Sequence, residues 1–338
     1  QDIDRSSIPE VTAKSDITFP DIQTKTLSNG MELVVATRGN IPLVDVSVAI
    51  NTGSMAAPAD APGLATFVFG LLDKGTKRYN ANELAAAKDK IGMDGRFQDG
   101  LEQSSFGYRI LRSNLRPSLE LAADMLRNPT FPDEELSKVK AQLAAYLANL
   151  EVAPSRAASG LFDRAIYGSD NPMGAVWTPE LLEQVDREKL EAFHRAEIAP
   201  DNMTVYMIGD IGIDEASEAV ESAFGRWKAR SRSALRAIGE AKEPEARVIL
   251  VDHPGAESST IVAGHGLPPY DSDRWTELLI MNTILGGSFE SRLNMNLRED
   301  KAWSYGYQSR VRTNTSGDMT FQTSGQVQTD KTAEAMQE

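Results

Sequence analysis

The first fifty residues carry a pattern typical of a β-hairpin followed by a third strand. Apolar and polar residues alternate in Ile22–Leu27 and in Met31–Ala36, on either side of Asn29-Gly30. Asn-Gly favours the tight turn that joins two antiparallel strands. Leu43–Ile50 alternates in the same way, so three strands are expected before the first helix.

Longer apolar periods then indicate a mainly helical region. Helices are predicted at 61–72, 82–91, 115–126, 132–150, 179–194 and 213–227, and further helix is predicted between 150 and 167. Strands are predicted among them at 93–97, 104–110 and 203–208. Pro117 fits this prediction because it falls in the first turn of its helix, where a missing N–H costs little.

The pattern restarts after a charged segment with few apolar residues, 231–245. Strands are predicted at 246–251, 259–265, 305–311 and 319–325, with helices at 272–285 and 290–298 separated by Gly286-Gly287-Ser288. This order repeats the start of the first region. The sequence therefore predicts an α+β fold of two related domains with mostly antiparallel sheets packed by helices, the second of them truncated.

The predicted boundaries follow from these patterns. Residues 1–21 are expected to be a linker or tether, 22–230 the first domain, 231–245 a connector and 246–338 the second domain. The chain starts at Gln1, and its last ten residues resemble a helix that has only begun. We therefore expect a fragment of a longer polypeptide, the alternative being a trimmed mature protein with a mobile tail.

Composition narrows the possible chemistry. The 338 residues include 49 acidic and 35 basic side chains, a net charge of −14 that argues against binding to DNA or an anionic membrane. Without cysteine there can be no disulfide framework, thiolate zinc site or cysteine nucleophile. The longest nearly apolar run, Gly63–Leu72, is too short to cross a bilayer.

Five segments carry a family resemblance: Leu27–Val35, Ala49–Ser54 and Gly63–Tyr79 in the first half, and Leu285–Leu293 and Leu297–Tyr305 in the second. Together they resemble the pitrilysin/insulinase (M16) family of metallopeptidases. Order and spacing agree over nearly the whole chain. The resemblance implies a subunit built from two related α+β domains, in agreement with the repeated pattern.

The resemblance also implies where zinc chemistry would lie. The family's His-x-x-Glu-His motif falls on Thr66, Phe69 and Gly70 of this sequence. None of these residues is a good zinc ligand, and Phe69 cannot accept a proton. The family's third ligand is a glutamate on the helix that begins near Pro132, yet 136–149 contains no acidic residue. We expect this chain to bind no zinc, and zinc to belong to a partner half.

The three histidines offer no replacement for this site. His194 lies at the end of a helix, His253 precedes a proline and His265 lies between two glycines, so they share no metal-like spacing. No Gly-x-Ser-x-Gly elbow is present, and Gly286-Gly287 lacks the Gly-Lys-Ser/Thr of a phosphate loop. The two glycines are expected to break a helix and let backbones approach.

Arg298 and Tyr305 are the remaining candidates. In the family, an Arg and a Tyr at this spacing come from the half without zinc and face the zinc site across a chamber. The resemblance implies that they hold the substrate main chain and stabilise charge on the attacked carbonyl. The alternative is a surface arginine paired with Glu299 and a tyrosine that packs sideways on its strand.

Three functions are consistent with these observations. The first is a non-catalytic M16 half that pairs with a zinc-bearing homologue, a separate subunit or an upstream part of the same polypeptide, to enclose a peptide-degrading chamber. The second is a scaffold homologue with no role in proteolysis, and the third an independent metallopeptidase with an unfamiliar site. Export to the bacterial periplasm is expected because long two-half relatives are often exported.

Overall fold

The computed structural model describes residues 19–338 except 40, 59, 62, 152, 170, 230–245 and 315–316. Residues 1–18 of the predicted linker and all of the predicted connector lie outside the described residues. The alternating segments of the first half form one six-stranded sheet. Its strands are β1 (Ile22–Thr26), β2 (Glu32–Thr37), β3 (Leu43–Ile50), β4 (Arg96–Gln98), β5 (Ser104–Leu111) and β6 (Met203–Gly209).

The strand order in this sheet is β1-β2-β6-β3-β5-β4. Every pairing is antiparallel except that of β2 with β6. A strand from near residue 205 is therefore inserted between β2 and β3, which are consecutive in the sequence. The central strands β3 and β6 bury every second side chain, as their alternation predicts.

Helices cover one face of this sheet and form the main core with it. They are α1 (Leu64–Leu71), α2 (Ala81–Ile91), α3 (Leu115–Arg127), α4 (Asp133–Glu151), α5 (Pro154–Tyr167), α6 (Pro179–Glu183), α7 (Arg187–Glu197) and α8 (Ile213–Phe224). α2 begins at the capping box of Asn80 and Glu83 and ends at Gly92, whose φ of 72° lies in the left-handed region. Most of α1 is buried, because it packs between the sheet and the outer helices.

The second half forms a smaller unit around the three-stranded antiparallel sheet β7-β9-β8. Its elements are β7 (Ser258–Leu267), α9 (Ser272–Asn282), a π-helical turn (Thr283–Gly287), α10 (Arg292–Asn294) continued by a π-helical stretch (Met295–Asp300), β8 (Ser304–Thr313), β9 (Met319–Gln328) and α11 (Thr332–Gln337). Leu297, Tyr307, Val327 and Ala335 form its small core. The α+β class and mostly antiparallel sheets predicted from sequence are confirmed.

The two halves repeat one local sequence of elements. β5 is followed by a 3-10 turn (Arg112–Asn114) and α3, and β9 is followed by a 3-10 turn (Thr329–Lys331) and α11. The corresponding strands β5 and β9 pair with β3 and β7, respectively. The weak duplication in the sequence is thus a duplication of structure.

The predicted strand at 246–251 is wrong, because no part of it is a strand in the structure. Val248–Val251 has no ladder partner among the described residues, and its four side chains are more than half exposed. The corresponding strand of the first half, β2, is held by β1 and β6. Within the described part of the second half no strand corresponds to β6, so alternation alone does not make Val248–Val251 a strand.

The halves meet where α5 packs against β7. Arg312 Nη1 on β8 lies 2.6 Å from Asp163 Oδ1 on α5, and both side chains are largely shielded from water. Arg247 Nη2 donates to the carbonyl of Ala165, 3.1 Å away, near the end of α5. Polar contacts therefore fix α5 beside one face of the second sheet.

Candidate functional site

The resemblance aligns the zinc motif with Thr66, Phe69 and Gly70, which all lie on α1 and differ in burial. Phe69 is 1% exposed and belongs to the main core. Thr66 is partly buried, and its Oγ1 donates to Asp99 Oδ2 at 2.6 Å. Gly70 is exposed, and no atom lies within 4 Å of the place where a Cβ would stand. These three positions therefore carry the hydroxyl of Thr66, the buried ring of Phe69 and the exposed backbone of Gly70.

This donor set does not fit zinc. A catalytic zinc site needs three protein ligands such as imidazole or carboxylate, and a general base beside the metal. On α4, where the family places its third ligand, residues 136–149 carry no acidic side chain. Among the residues that the structure describes, no group of three His, Asp or Glu side chains is close enough to hold a metal ion.

Two of the three histidines, His194 and His265, contact main-chain carbonyl groups and aromatic rings. His194 Nε2 lies 2.7 Å from the carbonyl oxygen of Leu126, and its ring meets Phe131 edge-on. His265 Nδ1 lies 2.7 Å from the carbonyl oxygen of Gly266, and its ring contacts Phe321. The first contact ties α7 to α3, and the second stays within the second sheet.

A cavity of about 1050 Å³ opens between the two halves. One wall is formed by the end of α4 and the start of α5, and the other by the second sheet and the glycine-rich turn before α10. The residues that line it include Tyr146, Ser155, Arg156, Ser159, Thr260, Gly286, Phe289, Arg298, Tyr305, Tyr307, Gln308, Arg310, Ser324 and Gln326. Both residues singled out from sequence, Arg298 and Tyr305, therefore lie on one cavity.

Arg298 is held in place but not covered. Its Cζ lies 4.4 Å from the ring centroid of Phe289, and its Nε lies 3.4 Å from Glu299 Oε1. The ion pair with Glu299 that the sequence suggested is present, at a separation where water competes for both groups. Stacking on an aromatic face leaves the edge of a guanidinium free to donate hydrogen bonds.

Tyr305 and Tyr307, two residues apart on β8, differ in how far their side chains are exposed to solvent. Tyr305 is 99% exposed, so it does not pack sideways on its strand. Tyr307 is buried, and its Oη lies 3.4 Å from Thr323 Oγ1. Burial raises the pKa of the Tyr307 phenol, which keeps it neutral. A register shift between Ser304 and Tyr307 in the β8–β9 ladder separates the two tyrosines.

Glycines let the backbones around the cavity approach closely. A Cβ on Gly286 would lie 2.4 Å from the amide nitrogen of Ser309, and one on Gly325 would lie 2.3 Å from Tyr307 Cδ2. The chain leaves the π-helical turn at Ser288, which is extended. The prediction that Gly286-Gly287-Ser288 breaks a helix and permits close approach is confirmed.

Sequence reasoning missed the other cationic residues of this cavity. Arg156 enters from the first turn of α5, and Arg310 from β8. The signal for Arg310 is its spacing, since Gln308, Arg310 and Arg312 alternate along β8 and share one face. Nothing in the local sequence indicates that α5 lies across from that face.

Two family models match the chain. The model "Insulinase (Peptidase family M16)" matches residues 33–169, and the model "Peptidase M16 inactive domain" matches residues 184–338. Among curated proteins, the chain is 26% identical over 294 residues to YmxG of Bacillus subtilis, named an uncharacterized zinc protease. That match covers 84% of this chain and 68% of YmxG. The chain spans about two thirds of the length of such relatives.

Two solved structures share the fold. A peptidase M16 inactive domain from Pseudomonas fluorescens superposes with a TM-score of 0.85 at 21% identity, over 94% of this chain and 77% of that one. The periplasmic protease PqqL of Escherichia coli superposes with a TM-score of 0.80 at 16% identity, over 97% of this chain and 36% of PqqL. Because the two M16 models together match residues 33–169 and 184–338 and the fold agrees with that of M16 structures, the chain belongs to the M16 peptidase family, and its sequence contains no His-x-x-Glu-His motif.

Proposed function

We propose that this chain is the non-catalytic half of an M16 peptidase, pairing with a zinc-bearing homologue so that the two halves enclose a peptide. The observation that carries the proposal is the contrast between two places in the molecule. Arg298 and Tyr305 line one open cavity, while the zinc-motif positions hold no ligand set. The chain would therefore contribute substrate contacts to chemistry that occurs on the partner.

The roles proposed for the pair follow from their chemistry. The Arg298 guanidinium is a permanent cation with several donors in a planar fork, and the Tyr305 phenol is a donor. Both can donate to a peptide carbonyl, and a donor aimed at a developing oxyanion contributes about 3 kcal/mol to transition-state stabilisation. Zinc would be held by the partner half.

The partner is either a separate subunit or an upstream part of the same polypeptide. The fold of this chain covers only 36% of PqqL, so a protein of that length has room for a second half. The size of the natural polypeptide, detected in cell extracts with an antibody to this chain, separates the two arrangements. A band at least twice the 36.9 kDa of this chain supports the single polypeptide, and a smaller band supports a separate subunit.

The test uses the assembly purified from its native cells and the same assembly carrying Arg298→Ala. We expect assembly and folding to be unchanged and peptide cleavage to fall about a hundredfold, mainly in kcat. Arg109→Gln is the control, because Arg109 pairs with Asp45 on the first sheet, away from the cavity. Unchanged cleavage by the Arg298→Ala assembly would contradict the proposal.

A scaffold role without proteolysis is the alternative, and one observation favours it. Arg298 already contacts Glu299 and Phe289, which is what a purely structural arginine would do. On that alternative, Arg298→Ala would lower the melting temperature and leave cleavage by the assembly unchanged. The two functions thus predict opposite responses to one substitution.

A periplasmic location belongs to the same proposal. The structural neighbour PqqL is named a periplasmic protease, and this chain has no cysteine that an oxidising compartment would affect. No helix among the described residues is long and apolar enough to cross a membrane. Recovery of the protein in the osmotic-shock fraction of its native cells would support this location, and retention with the cytoplasmic fraction would contradict it.

A further inference from the structure

The cavity between the halves has a charge opposite to that of the whole chain. The chain carries a net charge of −14, yet Arg156, Arg298 and Arg310 line the cavity and no Asp or Glu is among its described lining residues. The other polar groups there are neutral, chiefly Ser, Thr and Gln side chains on α5 and the second sheet. A ligand that enters this cavity therefore meets positive charge and neutral hydrogen-bonding groups.

Two of the three arginines have no carboxylate partner among the residues that the structure describes. Arg156 stacks on Tyr146, with its Cζ 5.4 Å from the ring centroid, and forms no ion pair with the described residues. Arg310 is exposed and likewise has no ion pair in the described part of the chain. Among the described residues, Arg298 alone of the three meets a protein carboxylate, that of Glu299, which is not one of the described lining residues.

The neighbour of Arg310 shows what an arginine on this face does when a carboxylate is near. Arg312 lies two residues along β8, on the same face, and pairs with Asp163 of α5 at 2.6 Å. Arg310 points to the same side of the sheet, where the described residues of the opposite wall include Ser155, Arg156 and Ser159 and no Asp or Glu. The position that Asp163 fills for Arg312 is therefore left for a ligand to fill beside Arg310.

We propose that the cavity selects peptide segments that carry carboxylates, with Arg156 and Arg310 as the residues that determine this preference. The proposal rests on the proposed function and adds a substrate class to it, since Arg298 and Tyr305 would contact the main chain of any peptide. The two unpaired arginines instead recognise acidic side chains or a free C-terminal carboxylate. Guanidinium groups suit this task because their fork can bind a carboxylate through two parallel hydrogen bonds.

The experiment measures binding of labelled peptides to the full chain by fluorescence anisotropy. One peptide carries adjacent glutamates and the second has glutamines in their place. Each is made with a free and with an amidated C terminus. The glutamate peptide should bind about fivefold more tightly for each carboxylate that pairs with an arginine, near the upper limit for an exposed ion pair. The preference should weaken at high salt, because exposed charges are screened.

The variants Arg156→Gln and Arg310→Gln should each reduce the preference about fivefold while leaving the affinity for the amidated glutamine peptide unchanged. Arg109→Gln removes the same charge from a paired surface arginine and should change neither affinity. Circular dichroism checks that each variant is folded. A preference that follows glutamate identifies side chains as the source of the carboxylate, and one that follows the free C terminus identifies the chain end; either supports the proposal.

Failure of this proposal and failure of the proposed function give different results. If both peptides bind equally in the wild type and binding weakens in Arg298→Ala, the cavity binds peptide main chain and the acidic preference is wrong. If neither peptide binds and Arg298→Ala does not affect cleavage by the native assembly, both proposals are wrong. A preference for glutamate that survives in the Arg156→Gln, Arg310→Gln double variant would also overturn the present assignment.

Discussion

Helix α1 and the cavity between the halves differ in how deeply they bury the residues that the family resemblance singled out. On α1, Phe69, which the resemblance aligns with the family's general base, is packed in the larger of the two described cores. At the cavity, Arg298 and Tyr305 keep polar ends that reach solvent. Phe69 therefore packs as an ordinary core residue, whereas Arg298 and Tyr305 remain outside the core. Burial distinguishes Phe69 from the candidate pair at the cavity.

The largest expected effect comes from restoring the motif. The triple variant Thr66→His, Phe69→Glu, Gly70→His should bind no stoichiometric zinc, because α4 supplies no third ligand between residues 136 and 149. It should also be less stable than Phe69→Ala, since a carboxylate would replace a ring in an apolar core. Metal analysis and thermal melting check both statements, with the wild type as control. About one tightly held zinc per triple-variant chain would contradict the prediction.

The next largest effect is the loss of stability when the Phe69 ring alone is removed. Phe69→Ala should lower the free energy of unfolding by roughly 3–5 kcal/mol, the usual cost of truncating a buried phenylalanine. Thr66→Ala on the same helix is the matched control. It loses only a partly exposed hydrogen bond to Asp99 and should cost roughly 0.5–1.5 kcal/mol. Denaturant unfolding measures both, and equal losses would mean that Phe69 is not a core residue.

Sequence reasoning succeeded where the determining interactions are local or periodic. The hairpin before β3 follows from alternation around Asn29-Gly30, and α2, predicted at 82–91, follows from its helical apolar period. The family resemblance, not the local pattern, pointed to Arg298 and Tyr305, and both residues line the cavity. Their role in binding stays a prediction.

Sequence reasoning did not succeed where a strand pairing or a side-chain position depends on a distant segment of the chain. The predicted strand at 246–251 failed because pairing needs neighbours, and β2 has β6 only because residues far along the chain return to the sheet. Arg156 escaped notice for the same reason, since it reaches the cavity only through the packing of α5 on β7. Register and tertiary approach are long-range properties, and the local pattern of apolar residues does not encode them.

The two tyrosines of β8 sharpen the comparison between exposed and buried groups. Tyr305→Phe should leave the melting temperature unchanged, because the side chain is 99% exposed, and should reduce cleavage by the native assembly about tenfold or more. Tyr307→Phe should lower the melting temperature and leave cleavage unchanged, because the buried Tyr307 hydroxyl contacts Thr323 and the residue belongs to the small core. Melting curves and cleavage rates of both variants decide the matter. A fall in stability without loss of cleavage for Tyr305→Phe would favour the scaffold alternative.

A smaller effect is expected at the glycine behind Tyr307. In Gly325→Ala the new Cβ would stand 2.3 Å from Tyr307 Cδ2 and 2.8 Å from the carbonyl oxygen of Gly306. Overpacking of this kind costs about 1–3 kcal/mol. The ring must shift, which should also perturb peptide binding in the cavity that it lines. Unfolding and anisotropy measurements on one preparation test both consequences, and an unchanged unfolding free energy would contradict the packing described.

The smallest expected effect is a stabilisation on α1, at the position where the family's second histidine would stand. Gly70 is exposed within the helix, and a Cβ there meets nothing within 4 Å. Gly70→Ala should therefore raise the free energy of unfolding by about 0.5–1 kcal/mol, because alanine loses less backbone freedom in a helix than glycine. Denaturant unfolding of the isolated chain measures this, with Gly325→Ala as the glycine whose substitution goes the other way. A loss of stability in the isolated chain would show that the α1 surface is covered by another part of the polypeptide. If the isolated chain is stabilised and the native assembly is weakened, the partner half approaches this surface, and the lost zinc site would then face the same enclosed space as the cavity.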